Sequence, residues 1–253
     1  MKRRLPAVLF AAALSLTAAD QAERSGPKQS FETTKTERMP FAPGGTIRLN
    51  SSYGYLNVEG WDEPEVEITI AKSTDRFYPP REKEKAEQHF AEIQVVAEKR
   101  SEKELAISTA LPRRNNVVSS VLPERRIIFT LPVRSKRGIT VEYTVHVPRD
   151  SRLEIQHDNG YVWVSDVSGD IDVRSHTGDM IVMLPDPGPY SIDARTRLGR
   201  VSSDFVGKGG TPLLIGSRFS DASPSPSRKV YLRMGRGSIT IKSGPPSGPF
   251  RKN

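Results

Sequence analysis

Apolar and polar side chains alternate with a period of two over much of the chain, the pattern of strands with one buried face and one wet face. Thr46-Ile47-Arg48-Leu49 alternates after the turn sequence Phe41-Ala42-Pro43-Gly44-Gly45. Tyr55-Leu56-Asn57-Val58 follows and ends at Gly60, and Val66-Glu67-Ile68-Thr69-Ile70 follows an Asp62-Glu63-Pro64 turn. Three short strands joined by tight turns predict a meander. The pattern resumes at residues 93–96, 105–107 and 126–131, and is clearest over 139–147. There Ile139, Val141, Tyr143, Val145 and Val147 alternate with Thr140, Glu142, Thr144 and His146. One interruption is helical. Pro79-Pro80 precede a charged stretch in which Ala86 and Phe90 share a face, which predicts one short surface helix near residues 80–91.

Beyond Pro148 the alternation acquires a longer period. Gly160, Gly169, Gly178, Gly188 and Gly199 are spaced 9, 9, 10 and 11 residues apart. The second and fourth residues after each glycine are Val162 and Val164, Ile171 and Val173, Met180 and Val182, Tyr190 and Ile192, then Val201 and Ser203. All but Ser203 are apolar or aromatic, so these positions point inward, and the coil is expected to loosen at Ser203. The first and third residues include Asp170, Asp172, Asp179, Arg200 and Ser202, which face solvent. A chain that turns a corner this often needs residues that tolerate positive φ and close backbone approach, hence glycine. Two strands per turn give rungs of 18 and 21 residues, from Gly160 to Gly178 to Gly199. Such rungs can stack by hydrogen bonding around a narrow core. The same unit stands at Gly54 with Leu56 and Val58, and at Gly237 with Ile239 and Ile241. An antiparallel sandwich would also alternate and also use glycine turns, but even glycine spacing favours the coil. Residues 207–229, rich in Gly, Ser and Pro, are expected to bulge out as a loop before the last strands at 230–234 and 238–242.

The run Leu153-Glu-Ile-Gln-His-Asp-Asn-Gly-Tyr-Val-Trp-Val-Ser-Asp-Val-Ser-Gly-Asp-Ile-Asp-Val-Arg-Ser-His-Thr-Gly-Asp-Met-Ile-Val182 resembles the adhesin-type β-strand-repeat family labelled DUF4097. The segment Gly44-Gly-Thr-Ile-Arg-Leu-Asn-Ser-Ser-Tyr-Gly-Tyr-Leu-Asn-Val-Glu-Gly-Trp61 is similar to the first strands of such proteins. The resemblance covers roughly residues 40 to 242. It implies an all-β, right-handed β-solenoid-like fold (a β-helix or β-roll) and an envelope or surface location, and it brings no catalytic residues.

The chain begins with Lys2, Arg3 and Arg4, an apolar run over residues 5–19, and small residues at Thr17-Ala18-Ala19. This predicts a signal peptide at 1–19, since the run is shorter than the ~20 residues a membrane span needs. The expected organisation is then a flexible lead-in at 20–35, an N-terminal β region at 36–147 carrying the helix, the glycine-repeat region at 148–242 continuous with it, and a disordered tail at 243–253. Localisation is exported: periplasmic, cell-surface or secreted, with no transmembrane segment in the mature chain. Cysteine is absent, so disulfides and thiolate chemistry are excluded. Removing the three leading cations takes the formal charge from +8 to +5. That bias permits attraction to anionic envelope polymers, but along the sequence the basic residues are scattered, and nucleic acid is not an expected partner.

Candidate chemistry is sparse. The histidines, at 89, 146, 157 and 176, lack metal-ligand spacing. His89 and His146 are expected at the surface. Two places before Gly160, Gly178 and Gly199 stand Asp158, His176 and Arg197, one possible column on neighbouring rungs, either a surface ladder or a weak ligand site. Asp158, Asp166, Asp170, Asp172 and Asp179 invite calcium, but they do not match the calcium-binding nonapeptide and read as solvated acids. Paired acids, a nucleophilic triad and phosphate loops do not stand out, so no catalytic, cofactor or metal residues are assigned. Tyr161 and Trp163 occupy outward places after Gly160, and Tyr55 the equivalent first place after Gly54. They mark either a contact surface or a patch covered by another sheet or the helix. The leading reading is an exported non-enzymatic adhesin-like module binding an envelope polymer or protein. The alternatives are a periplasmic structural or regulatory accessory of a membrane signalling system and a carbohydrate-active enzyme.

Overall fold

A computed structural model describes residues 30–51, 53–74, 83–91, 93–110, 139–185, 189–210, 216–222 and 228–244. The first half of the chain contributes β1 (Glu32–Pro40), β2 (Thr46–Ser51), β3 (Gly54–Trp61), β4 (Glu65–Thr74), helix α1 (Lys83–Ala91), β5 (Gln94–Ser101) and β6 (Glu104–Ala110). The second half contributes β7 (Ile139–Pro148), β8 (Arg152–Ser165), β9 (Ile171–Pro185), β10 (Tyr190–Leu198), β11 (Val201–Ser203), β12 (Lys208–Gly210), β13 (Ser217–Ala222), β14 (Arg228–Arg236) and β15 (Ile239–Gly244). The expected signal peptide, the lead-in up to residue 29, the strand at 126–131, Gly188 and the tail from 245 lie outside the described residues.

Among the described residues, five pieces of the chain turn the same corner. A strand arrives at Gly54, Gly160, Gly178, Gly199 or Gly237, and a second strand leaves from it; φ at these glycines lies between 121° and 143°. The two arms of each rung are β2 with β3, the halves of β8, the halves of β9, β10 with β11, and β14 with β15. Like arms stack in parallel and in register. Gly54 pairs with Gly160 and Gly160 with Gly178. The β14–β15 rung lies on β9, and the β10–β11 rung lies on β14–β15.

Register in phase with the glycine lines up the inward side chains. On the first arms Ile47, Leu153, Ile171, Val230 and Ile192 form one column, and Leu49, Ile155, Val173, Leu232 and Ala194 the next. On the second arms Leu56, Val162, Met180, Ile239 and Val201 form a column beside Val58, Val164, Val182 and Ile241. All except half-buried Val201 are buried, within one core cluster. Full burial of one such aliphatic side chain is worth about 1.5–3 kcal/mol. At Ser203 the inward column ends on a polar residue, and β11 stops after three residues.

Antiparallel strands flank this parallel stack. β7 lies parallel to β3 and antiparallel to β4, which carries β1 on its far side. β6 lies parallel to β2 and makes a hairpin with β5. β13 lies antiparallel to β10 and carries β12. Among the described residues the ladder runs from β1 to β12 without closing. α1 buries Ala86 and Phe90, as their spacing predicts. Lys72 Nζ donates to the carbonyls of Phe90 (2.8 Å) and Ile93 (2.7 Å), satisfying acceptors at the helix end. Burial, with Lys35 adding to it, lowers the Lys72 pKa.

Five expectations differ from the structure. The strands at 46–51, 54–61 and 65–74 are not a meander: β2 and β3 are two arms of one rung, each parallel to one half of β8, and β4 pairs with β7 and β1 instead of β3. Rung order is not sequence order, since β14–β15 sits between β9 and β10. β1 begins at Glu32, inside the expected lead-in, as a polar strand paired along its length with β4. Residues 207–229 contain two strands, β12 and β13, and β15 continues to Gly244 at the start of the expected tail.

Candidate functional site

The first place after each corner glycine faces outward, because the second faces the core. Tyr55 and Tyr161 both occupy that place and pair in register on β3 and β8. Their rings lie parallel, 2° apart in tilt with centroids 5.2 Å apart, and they remain 47% and 50% exposed. Trp163, two places on, is 39% exposed. It stands between Asn57 on β3 and Ile181 on β9. The three residues singled out by sequence therefore share one face of the second arms, and among the described residues neither a second sheet nor α1 covers them.

Three places before the glycine the side chain points inward, beneath the corner. The column there is Ser51, His157, Ser175, Met234 and Thr196. His157 is 2% exposed, and both ring nitrogens lack a hydrogen-bond partner among the described residues, as do Ser51 Oγ and Ser175 Oγ. Burial lowers the His157 pKa below its ordinary 6.5, against the pull of the Gly54 backbone and the Asp158 carboxylate. Thr196 Oγ1 instead donates to the Gly237 carbonyl at 3.0 Å.

Four places before the glycine the side chain points outward again. Asn50, Gln156, Arg174, Arg233 and Arg195 occupy this column, and Arg218 of β13 extends it. Arginines that read as scattered along the chain are thus gathered into a stripe by the register. The signal was available: counting back four from Gly178, Gly199 and Gly237 lands on arginine each time. Two strand positions earlier the column holds Arg48, Glu154, Asp172, Tyr231 and Asp193. Arg174 donates Nε and Nη2 to Asp172 at 3.1 and 3.0 Å. Arg195 does the same to Asp193 at 3.1 and 3.2 Å. Arg233 Nη2 reaches Asp193 at 2.7 Å while its guanidinium lies 3.5 Å from the Tyr231 ring centroid. Burial pushes the Asp193 pKa up, but the hydrogen bonds from Arg233 and Arg195 outweigh it and hold the carboxyl below its ordinary value.

The supposed column of Asp158, His176 and Arg197 is interrupted. Met234 pairs with Ser175 and with Thr196, so Gly235 stands between His176 and Arg197. The aspartates that invited calcium are spread along the rungs. Asp170 Oδ1 accepts from the Lys229 amide at 2.8 Å and Asp179 Oδ1 from the Ser238 amide at 2.9 Å, tying β9 and the turn before it to the β14–β15 rung. Asp166 lies 3.7 Å from Arg149 Nη1. Among the described residues no three His, Asp or Glu side chains are placed to share a metal ion. His146 is half-buried rather than at the surface: it stacks on Trp61 with centroids 5.0 Å apart, and its Nδ1 lies 3.1 Å from Glu67 Oε1. His89 on α1 is half-buried as well.

No family model matches the chain, and no curated protein matches it. A solved candidate cell adhesion protein from Clostridium sporogenes is 16% identical, with 84% of this chain and 100% of that chain covered and a TM-score of 0.45. A candidate adhesin from Bacteroides fragilis is 10% identical, with 83% of this chain and 97% of that chain covered and a TM-score of 0.24. At these TM-scores neither likeness bears on function.

Proposed function

We propose that this is an exported, non-catalytic, adhesin-like module that binds an envelope or surface polymer through the face bearing Tyr55, Tyr161 and Trp163. The observation that carries the reading is the parallel-stacked Tyr55–Tyr161 pair, half exposed on two rungs whose backbones are locked in register. Aromatic rings on a rigid sheet offer amphipathic contact area at low entropic cost. A sugar chain lying along the exposed parts of the stacked pair and of Trp163 would meet apolar carbon on a surface that needs no reordering. The basic leader followed by an apolar run supports export. The parallel connection from β8 to β9 favours a right-handed β-solenoid, because such crossovers are right-handed in about 98% of cases.

The test is a panel of cell-wall and extracellular glycans offered to the mature chain and to a Tyr161→Ser, Trp163→Ser double variant. Binding by the native chain, weakened at least tenfold in a variant whose melt stays within a few degrees, is the expected result. Unchanged binding would remove the aromatic face from the argument. Release of shorter glycans would turn the reading to a carbohydrate-active enzyme, and recovery of one membrane protein from envelope extract to a regulatory accessory.

A further inference from the structure

The outer face of the first arms carries a groove of about 1040 Å³ along the arginine column. We infer that this groove is a second binding site, independent of the aromatic face, for a linear acidic polysaccharide whose units bear carboxylate or sulfate groups. Arg174, Arg233, Arg195 and Arg218 sit on four adjacent strands. Adjacent strands are ~4.8 Å apart, so the column extends about 14 Å across the strands. That length suits an extended chain with a charge at each rung better than one small anion.

The column is overloaded with positive charge. Like charges facing each other across strands oppose folding, and Asp172 and Asp193 are the two carboxylates clasping the four arginines. Arg197 lines the same groove, whereas among the described residues Asp158 is the acid in its lining. The aspartates also orient the donors. Each takes Nε and Nη2 of its own-strand arginine, leaving Nη1 of Arg174 and of Arg195 without a partner among the described residues. A guanidinium held from behind has lost its rotamer freedom before a ligand arrives, and its planar fork matches an oxyanion. The side chains of Arg174, Arg195 and Arg218 remain 59%, 46% and 49% exposed.

Single-stranded nucleic acid is the other linear polyanion. Its sites need aromatic platforms on which bases stack, and among the described residues no Phe, Tyr or Trp lines this groove. The neighbouring Tyr231 ring is occupied by Arg233 at 3.5 Å and Arg174 at 5.5 Å. Acidic polysaccharide is therefore the better match.

Calorimetry at physiological salt would compare polygalacturonate, heparin, neutral dextran and oligo-dT on four proteins: the native chain, Arg195→Gln with Arg218→Gln, the charge-matched Lys83→Gln with Lys242→Gln, and Tyr161→Ser with Trp163→Ser. The native chain is expected to bind polygalacturonate or heparin, whichever responds identifying the anion, and to ignore dextran. The arginine pair should lose at least tenfold and show a shallower salt dependence. The lysine pair and the aromatic pair should change by less than twofold, which separates this site from the aromatic one. Should the arginine pair melt early, Arg197→Gln replaces it. Equal losses in the arginine and lysine pairs, oligo-dT binding as tight as polysaccharide, or no polyanion binding at all would overturn the site.

Discussion

Gly178 rests against Gly160 so closely that a Cβ on Gly178 would lie 1.7 Å from the Gly160 carbonyl oxygen. The same relationship repeats along the corner. A Cβ on Gly160 would meet Gly54 O at 1.8 Å, one on Gly237 would meet Gly178 O at 1.5 Å, and one on Gly199 would meet Gly237 O at 2.0 Å. Each corner needs glycine twice over, for its positive φ and for the neighbouring rung's backbone.

Gly178→Ala should accordingly cost about 3 kcal/mol, the upper end for a single strained backbone position. Gly210→Ala, where no atom lies within 4 Å of the added Cβ, should stay within about 1 kcal/mol. Urea unfolding of the two variants beside the native chain measures the difference.

Asp179→Ala removes the acceptor for the Ser238 amide at the last corner. A part-buried donor left unpaired costs about 1–3 kcal/mol; Asp179→Asn keeps an acceptor oxygen and should lose less. Because Asp170 and Asp179 each already hold a backbone amide, millimolar calcium or chelator is expected to leave the thermal melt unchanged.

His157 gives the fold a pH limit. Its folded-state pKa is depressed below 6.5, so below that value the unfolded chain binds a proton that the folded chain refuses. Stability should be flat above about pH 6.5 and fall as pH drops through the folded pKa, by at most about 1.4 kcal/mol per pH unit for one proton. His157→Leu should flatten this window, read as melting temperature from pH 7.5 to 5. Asp193, also depressed from its ordinary 3.8, acts in a separate window at lower pH.

The corners and their inward pairs were readable in the sequence because one local rule, glycine followed by apolar residues at the second and fourth places, fixes both. Extending the rule backwards would have revealed more. Inward places recur at seven, five and three before the glycine, which buries His157, and the outward fourth place gathers Arg174, Arg195 and Arg233. The order of the rungs was not readable. Nothing near Gly199 or Gly237 says which rung each will join, since that choice is made by pairing between distant segments. β1 escaped for another reason. Its side chains are polar or exposed along most of its length, so it offers no alternation, and its place comes from backbone pairing with β4 at the sheet edge.

The slot taken by β14 and β15 has a consequence for how the molecule is made. When β10 leaves the ribosome, its place in the stack is separated from β9 by a gap of one rung, and the piece that fills the gap is still to be translated. The fifth rung must wait, or pair provisionally with β9 and then give way. Residues 228–244 thus act as a keystone delivered last. Synthesis cut short before them should leave β9 with a bare parallel edge, an adhesive surface of a kind the finished protein covers.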